Sequence, residues 1–316
     1  MAGRRRAERC APNSIFRRKK GNVMPATDHP AFARIMPFVF VFLWSTGFVG
    51  AKFGLPYADP FTFLFARFAI VIVLMVPVIS LLGAKWPKSW RQVAHISTTG
   101  VLVHGIYLGG VFWAIDTGLP SGLAALIVGL QPVVTASVVG ALLGERVSGR
   151  QWAGLVLGLI GVALVLVPKI GDGIGITAFG IGLAIMALFG MTAGTLYQKR
   201  FCTGMDLMSG TVIQYVAAAA FVGVVALIKE PLVIEWSMNF ILAMAWLVLV
   251  LSIGAIMLLM VLIKQGEATR VASMFYLVPP TAAFFAWLLF DEHLGMLGFA
   301  GFAIAALGVA LVMVKR

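Results

Sequence analysis

From Ile35 onward the chain alternates long apolar runs with short stretches carrying charge, Pro or Gly. Each run is about 20 residues long, enough for an α-helix to cross a hydrocarbon core of about 30 Å. The pattern predicts ten transmembrane helices, over residues 35–54, 61–83, 93–115, 119–142, 150–168, 176–198, 207–228, 239–264, 268–290 and 294–314. The loops between them are too short for a separate soluble domain.

Composition agrees with this pattern. Of 316 residues, 61% are hydrophobic and 11% charged, against roughly 25% charged in soluble domains. One core could not hide so many apolar side chains, so a lipid bilayer is the expected neighbour of the outward faces. The 35 glycines and 15 methionines suit membrane helices that approach closely.

The net charge of +12 raises the question of nucleic acid, and its distribution answers it. Arg4, Arg5, Arg6, Arg9, Arg17, Arg18, Lys19 and Lys20 crowd the start, and most other basic residues flank apolar runs. That is the pattern of cytoplasmic loop charge, not of a phosphate-binding face. Lys85, Lys88, Arg91, Arg146, Arg150, Lys199, Arg200, Lys264, Arg270, Lys315 and Arg316 fall on one side, and Lys52, Lys169 and Lys229 on the other. Both termini are therefore expected in the cytoplasm. Residues 1–34 read as a basic cytoplasmic tail without the apolar core of a signal peptide, and Met24 would serve as an alternative start. Cys10 and Cys202 belong to no metal-spaced or disulfide set, and neither a metal nor a cofactor is expected.

The chain also repeats itself. A shift of 147 residues places Pro132 on Pro279, Glu145 on Glu292, Gly154 on Gly301, and Gly161-Val-Ala-Leu-Val on Gly308-Val-Ala-Leu-Val. Lys52 then meets Lys199, Asp59 meets Asp206, and Arg67 meets Gln214. The expected domains are five-helix repeats at 35–168 and 176–316. Five is odd, so the second repeat should enter the membrane inverted, with Glu145 on the cytoplasmic side and Glu292 opposite. Inverted repeats around a central cavity are a device of secondary transporters, whose halves rock to expose one site alternately to each side.

The segment WSTGFVGAKFGLPYADPFTFLFARFA (44–69) resembles the first two helices of an EamA-type half. LQPVVTASVVGALLGERVSGRQWAG (130–154) and LVPPTAAFFAWLLFDEHLGMLGFAG (277–301) resemble the fourth and fifth helices of each half. The Pro-(x12)-Glu-(x8)-Gly pattern occurs twice, and the resemblance to the EamA branch of the drug/metabolite transporter superfamily covers about residues 35–316. The resemblance implies an all-α protein of ten helices around a central cavity. It also implies a bacterial inner-membrane exporter or exchanger of small metabolites, amino acids above all. The basic tail departs from the family pattern.

Arg67 lies about 9 Å inside the second predicted helix. A charge at that depth faces a wet cavity, where it attracts a substrate carboxylate or gates with Asp116 or Asp59, or else it snorkels outward or makes a fixed structural pair. His104 and Tyr107, three apart, share a helix face, and His104 is able to relay a coupling proton or simply to bridge helices. Trp44, Ser45 and Thr46 on the first helix, Phe189, Thr192 and Thr195 on the sixth, and Gln131 and Tyr276 beside the repeat prolines are further candidates for the cavity wall. They serve equally as packing or lipid-facing residues.

Pro132 and Pro279 remove backbone hydrogen bonds and so can kink their helices. Glu145 and Glu292 sit in tight turns suited to capping or ion pairing. Gly154 and Gly301 recur across the repeat. Gly105-x3-Gly109 and Gly154-x3-Gly158 fit close packing within the bundle or across a homodimer.

The absence of a GxxxxGK[ST] motif argues against self-supplied ATP drive. Sugar phosphates or nucleotide sugars are an alternative cargo, but polyanions call for several buried cations and only Arg67 lies clearly inside a helix. An intramembrane enzyme would need a nucleophile or metal cluster, and His104 has no acidic or cysteine partner near mid-membrane. A regulatory membrane protein that transports nothing would need no polar groups in the bundle at all.

Overall fold

A computed structural model describes residues 30–131, 133–135, 148–166, 176–255, 258, 277–292 and 295–313. Pro132, Glu145, Tyr276 and residues 1–29 of the basic tail lie outside the described residues. Among the described residues six helices are long and apolar enough to cross a membrane: α1 (Pro30–Gly54), α2 (Pro60–Leu81), α3 (Trp90–Asp116), α6 (Ala178–Phe201), α7 (Leu207–Lys229) and α8 (Met238–Ala255). Shorter apolar helices complete the order at α4 (Ser121–Val128), α5 (Gly149–Leu166), α9 (Val278–Phe290) and α10 (Met296–Met313).

Local chemistry sets the ends of these helices. Ser89, Thr177, Asp206 and Ser237 each accept a backbone N–H of the turn that follows, capping α3, α6, α7 and α8. Two caps come from distant sequence. The Glu230 carboxylate accepts the N–H groups of Phe61 and Thr62 at 2.9 and 2.6 Å, closing the start of α2. Glu292 accepts those of Ser121 and Gly122 at 3.2 and 3.4 Å, closing the start of α4, and pairs with Lys52 at the end of α1. Pro279 falls in the first turn of α9, and its ring packs where a Cβ on Gly129 would stand.

These links gather the ends of α1, α3, α7 and α9 with the starts of α2, α4 and α8 at one end of the bundle. At the other end Ser209, opening α7, donates to the Lys85 carbonyl beyond α2. His95 near the start of α3 meets Tyr197 near the end of α6 there, at 2.8 Å. So α2 and α7 run in opposite directions. The most extensive pairings are α5 with α10 and α3 with α6, followed by α3 with α7 and α2 with α7.

The α5–α10 contact brings backbone against backbone. A Cβ on Gly161 would stand 2.5 Å from the Gly301 carbonyl oxygen, and one on Gly308 2.6 Å from that of Gly154. The residue numbers rise on one helix as they fall on the other, so this pair is also antiparallel. The Gly154/Gly158 stripe is thereby packed inside the chain. Gly105 and Gly109 are likewise covered internally, by the rings of Phe221 and Phe61.

Two spans are not α-helical throughout. Val101–Ile106 of α3 and Trp246–Ala255 of α8 are π-helical. The 147-residue shift maps the first segment onto 248–253, inside the second.

Candidate functional site

Both π segments border the same cavity. Its walls come from Trp44, Gly47 and Phe48 of α1, Arg67 of α2, Val103, His104, Tyr107, Leu108, Val111 and Phe112 of α3, Tyr215 of α7, and Leu251 and Ser252 of α8. They surround about 620 Å³ of space not filled by protein and partly open to the outside. A π turn widens the helix and shifts the register of the side chains beyond it, and such turns are frequent at functional sites.

Among the described residues Arg67 is the only charged one on this wall, and it is 5% exposed. Seven residues after Pro60, it stands about 10 Å along α2. Its Nη2 and Nε donate to the Ser252 Oγ at 3.0 and 3.3 Å, a contact from α2 to α8. Among the described residues no carboxylate lies within ion-pairing distance of it. Asp116 and Asp59 lie together with Glu230 around the helix ends, so the pairing expected of them with Arg67 is replaced by the bond to Ser252. Buried at this depth, Arg67 does not snorkel.

Aromatic rings share the cavity wall with Arg67. Tyr215 stacks on His104 with ring centroids 4.6 Å apart, and Phe68 packs against both at 5.4 and 6.2 Å. Tyr107, also 5% exposed, lies in the electrostatic reach of Arg67. Trp44 also lines the cavity, its ring 5.4 Å from Phe40.

The structure thus brings Arg67, Trp44, His104 and Tyr107 to one cavity and puts other candidates elsewhere. Ser45 donates to the Val41 carbonyl at 2.8 Å and turns toward α9. Thr192 donates to the Leu188 carbonyl at 2.8 Å. Gln131, three residues beyond the end of α4, donates to Thr195 of α6 at 3.2 Å. Thr46 accepts the indole N–H of Trp246 at 2.9 Å, in a separate apolar groove between α1, α8 and α9.

Two cavity residues escaped the reading of the sequence. Tyr215 occupies the repeat position of Phe68, and Ser252 the position of Gly105. A tyrosine where the other half has phenylalanine, and a hydroxyl where it has glycine, were the available signals.

Comparison with known proteins agrees with this picture. The EamA-like transporter family model matches the chain twice, over residues 32–167 and 178–314. The chain is 27% identical over 294 residues to a probable amino-acid metabolite efflux pump of Escherichia coli (strain K12), covering 87% of this chain and 92% of the relative. It is also 27% identical over 283 residues to the uncharacterized transporter YvbV of Bacillus subtilis (strain 168), covering 87% and 89%. A solved crystal structure superposes with a TM-score of 0.63 at 18% identity, over 90% of this chain and 98% of its own, a likeness of fold alone. On the two family matches and the apolar helices, the chain belongs to the EamA-like transporter family and is a transmembrane transporter of small molecules.

Proposed function

We propose that this chain carries small carboxylate-bearing metabolites, amino acids and compounds related to them, out of the cytoplasm by alternating access. The observation that carries the reading is the buried Arg67, set on a cavity between elements of both repeats and bonded there to a neutral hydroxyl rather than to an acid. A guanidinium left without a counter-ion is a fixed positive charge, and its planar fork suits a carboxylate. The relative from E. coli named as an amino-acid metabolite efflux pump lends the class of cargo.

The architecture in this proposal is ten crossings in two inverted repeats. It is supported by the 147-residue register, by the opposite directions of α2 and α7, and by the antiparallel contact of α5 with α10. The end of the bundle bearing Lys85, Lys88, Arg91, Lys199 and Arg200 is the cytoplasmic one by the distribution of basic charge, in a bacterial inner membrane. His104, on the cavity wall, is the residue available to couple transport to a proton gradient. Sugar phosphates and nucleotide sugars fit less well, because the described residues offer the cavity one cation.

Transport of labelled amino acids and related acids into proteoliposomes, with and without a proton gradient, tests the reading. Arg67→Gln should weaken transport about tenfold or more, about 1.4 kcal/mol, and Arg67→Lys should restore part of it. An Arg67→Gln protein that elutes as folded and transports at full rate would remove Arg67 from the site.

A further inference from the structure

Resting on the carboxylate reading of the Arg67 cavity, we infer that the preferred substrate is a monocarboxylate whose remaining body is uncharged and predominantly apolar. An aromatic or branched aliphatic acid, or an amino acid whose amino group is blocked, meets that description. A free zwitterionic amino acid does not.

The first argument is the geometry of the guanidinium. Its Nε–Nη2 edge is directed at the Ser252 Oγ. Nη1 has no acceptor among the described residues, so the end of the fork is open for a carboxylate. Tyr107, 5% exposed on the same wall, has a hydroxyl with no hydrogen bond among the described residues, suited to a second carboxylate contact.

The second argument is charge. Among the described residues no Asp or Glu lines the cavity. The described acids Asp59, Asp116, Asp206, Glu230, Glu235, Asp291 and Glu292 all sit at or beyond helix ends, where several cap a helix or pair with Lys52. A monocarboxylate neutralises Arg67 and leaves the filled cavity without net charge. A zwitterion leaves the site at its original positive charge and adds an ammonium close to the guanidinium that holds the neighbouring carboxylate. A buried ammonium lacking a counter-ion is strongly disfavoured, and attraction to ring faces is the weaker effect.

The third argument is the wall. Away from Arg67, the space is bounded by the rings of Trp44, Phe48, Tyr107, Phe112 and Tyr215 and by aliphatic side chains. These reward the removal of apolar surface from water and offer little to a second polar group.

The test is calorimetric binding to the purified full chain in lipid nanodiscs, with 3-phenylpropionate, N-acetyl-L-phenylalanine, L-phenylalanine and 2-phenylethylamine. The two simple carboxylates should bind at least about tenfold more tightly than phenylalanine, and the amine should not bind. This comparison uses the unaltered protein, so it does not depend on any variant folding. Arg67→Gln should lower the affinity for 3-phenylpropionate by about tenfold or more. If phenylalanine equals or exceeds the simple carboxylates while Arg67→Gln weakens them all, the inference is overturned and the carboxylate reading stands. If 3-phenylpropionate binds a folded Arg67→Gln protein as it binds the wild type, the carboxylate reading itself is overturned. Lack of binding by both simple carboxylates to the folded wild type overturns the inference.

Discussion

Adding a single methyl group to Gly161 tests the tightest contact in the bundle. An ideal Cβ there would lie 2.5 Å from the amide nitrogen of Ala305 and 2.5 Å from the carbonyl oxygen of Gly301. Ordinary contact begins near 3.4 Å, so α5 and α10 must part by about 0.9 Å along that direction. The obstacles are backbone atoms, which cannot swing aside as the end of a side chain can. Overpacking of this kind costs about 1–3 kcal/mol. Alanine gains about 1 kcal/mol over glycine in a helix, leaving a net loss of about 0–2 kcal/mol.

Gly182 of α6 is the control, since a Cβ there meets nothing within 4 Å. Gly182→Ala should raise stability by about 0.5 kcal/mol, the opposite sign. Gly308→Ala, whose Cβ would stand 2.6 Å from the Gly154 oxygen, should behave as Gly161→Ala does. The double variant should lose less than the sum of the singles, because helices parted at one point have less to lose at the other. Unfolding titrations in mixed micelles, followed by tryptophan fluorescence, would measure all four. A Gly161→Ala protein as stable as Gly182→Ala would refute the backbone contact.

Further predictions concern the caps and the orientation. Glu292→Ala should cost about 2 kcal/mol in the same titration, since Glu292 is 11% exposed on its side chain and its loss strands the N–H groups of Ser121 and Gly122 as well as Lys52. Lys52→Met should cost under about 1 kcal/mol, because the lysine is 32% exposed and the caps remain; the reverse order would show that the ion pair matters more than the capping. Single cysteines at Ser148 and Gly295 in a cysteine-free background should label from opposite faces of intact cells, and labelling from the same face would reject the inverted repeat.

The helices were legible because apolar length is a strong signal, while their edges followed caps that an apolar window does not see. The third run was expected at 93–115, yet α3 begins at Trp90 because Ser89 caps it and its first turn carries Arg91 and Gln92. The second run was expected to reach 83, but α2 stops at Leu81, and Gly83 turns the chain at a φ of 66°. Nothing in VLVHGI separates a π turn from an α turn, so the widened segments could not be foreseen. At the site, Arg67 was legible by its depth, since a cation in a membrane helix demands a polar surrounding. The hydroxyl residues were less informative. Ser45 and Thr192 satisfy themselves on the carbonyl four residues earlier, so their presence says little about which way they face.

The 147-residue register keeps the scaffold alike and makes the site unlike. Gly154 and Gly161 recur as Gly301 and Gly308, and all four serve the one antiparallel contact. On the cavity wall Arg67 answers to Gln214, His104 to Leu251, Tyr107 to Gly254 and Trp44 to Met191. Had both halves supplied an arginine, two buried cations would repel each other and call for a ligand with two anionic ends. With one arginine, the second half contributes a hydroxyl in its place: Ser252 receives the guanidinium that α2 extends. That bond joins the two halves through the cavity itself. Under the proposed function, a ligand carboxylate accepting from the same guanidinium would compete with or reshape the join, and so would interact differently with arrangements in which α2 and α8 stand closer or farther apart. Such differential contact is what a ligand needs to shift a conformational equilibrium, and in the alternating-access reading it is here that occupancy would be felt by both repeats at once.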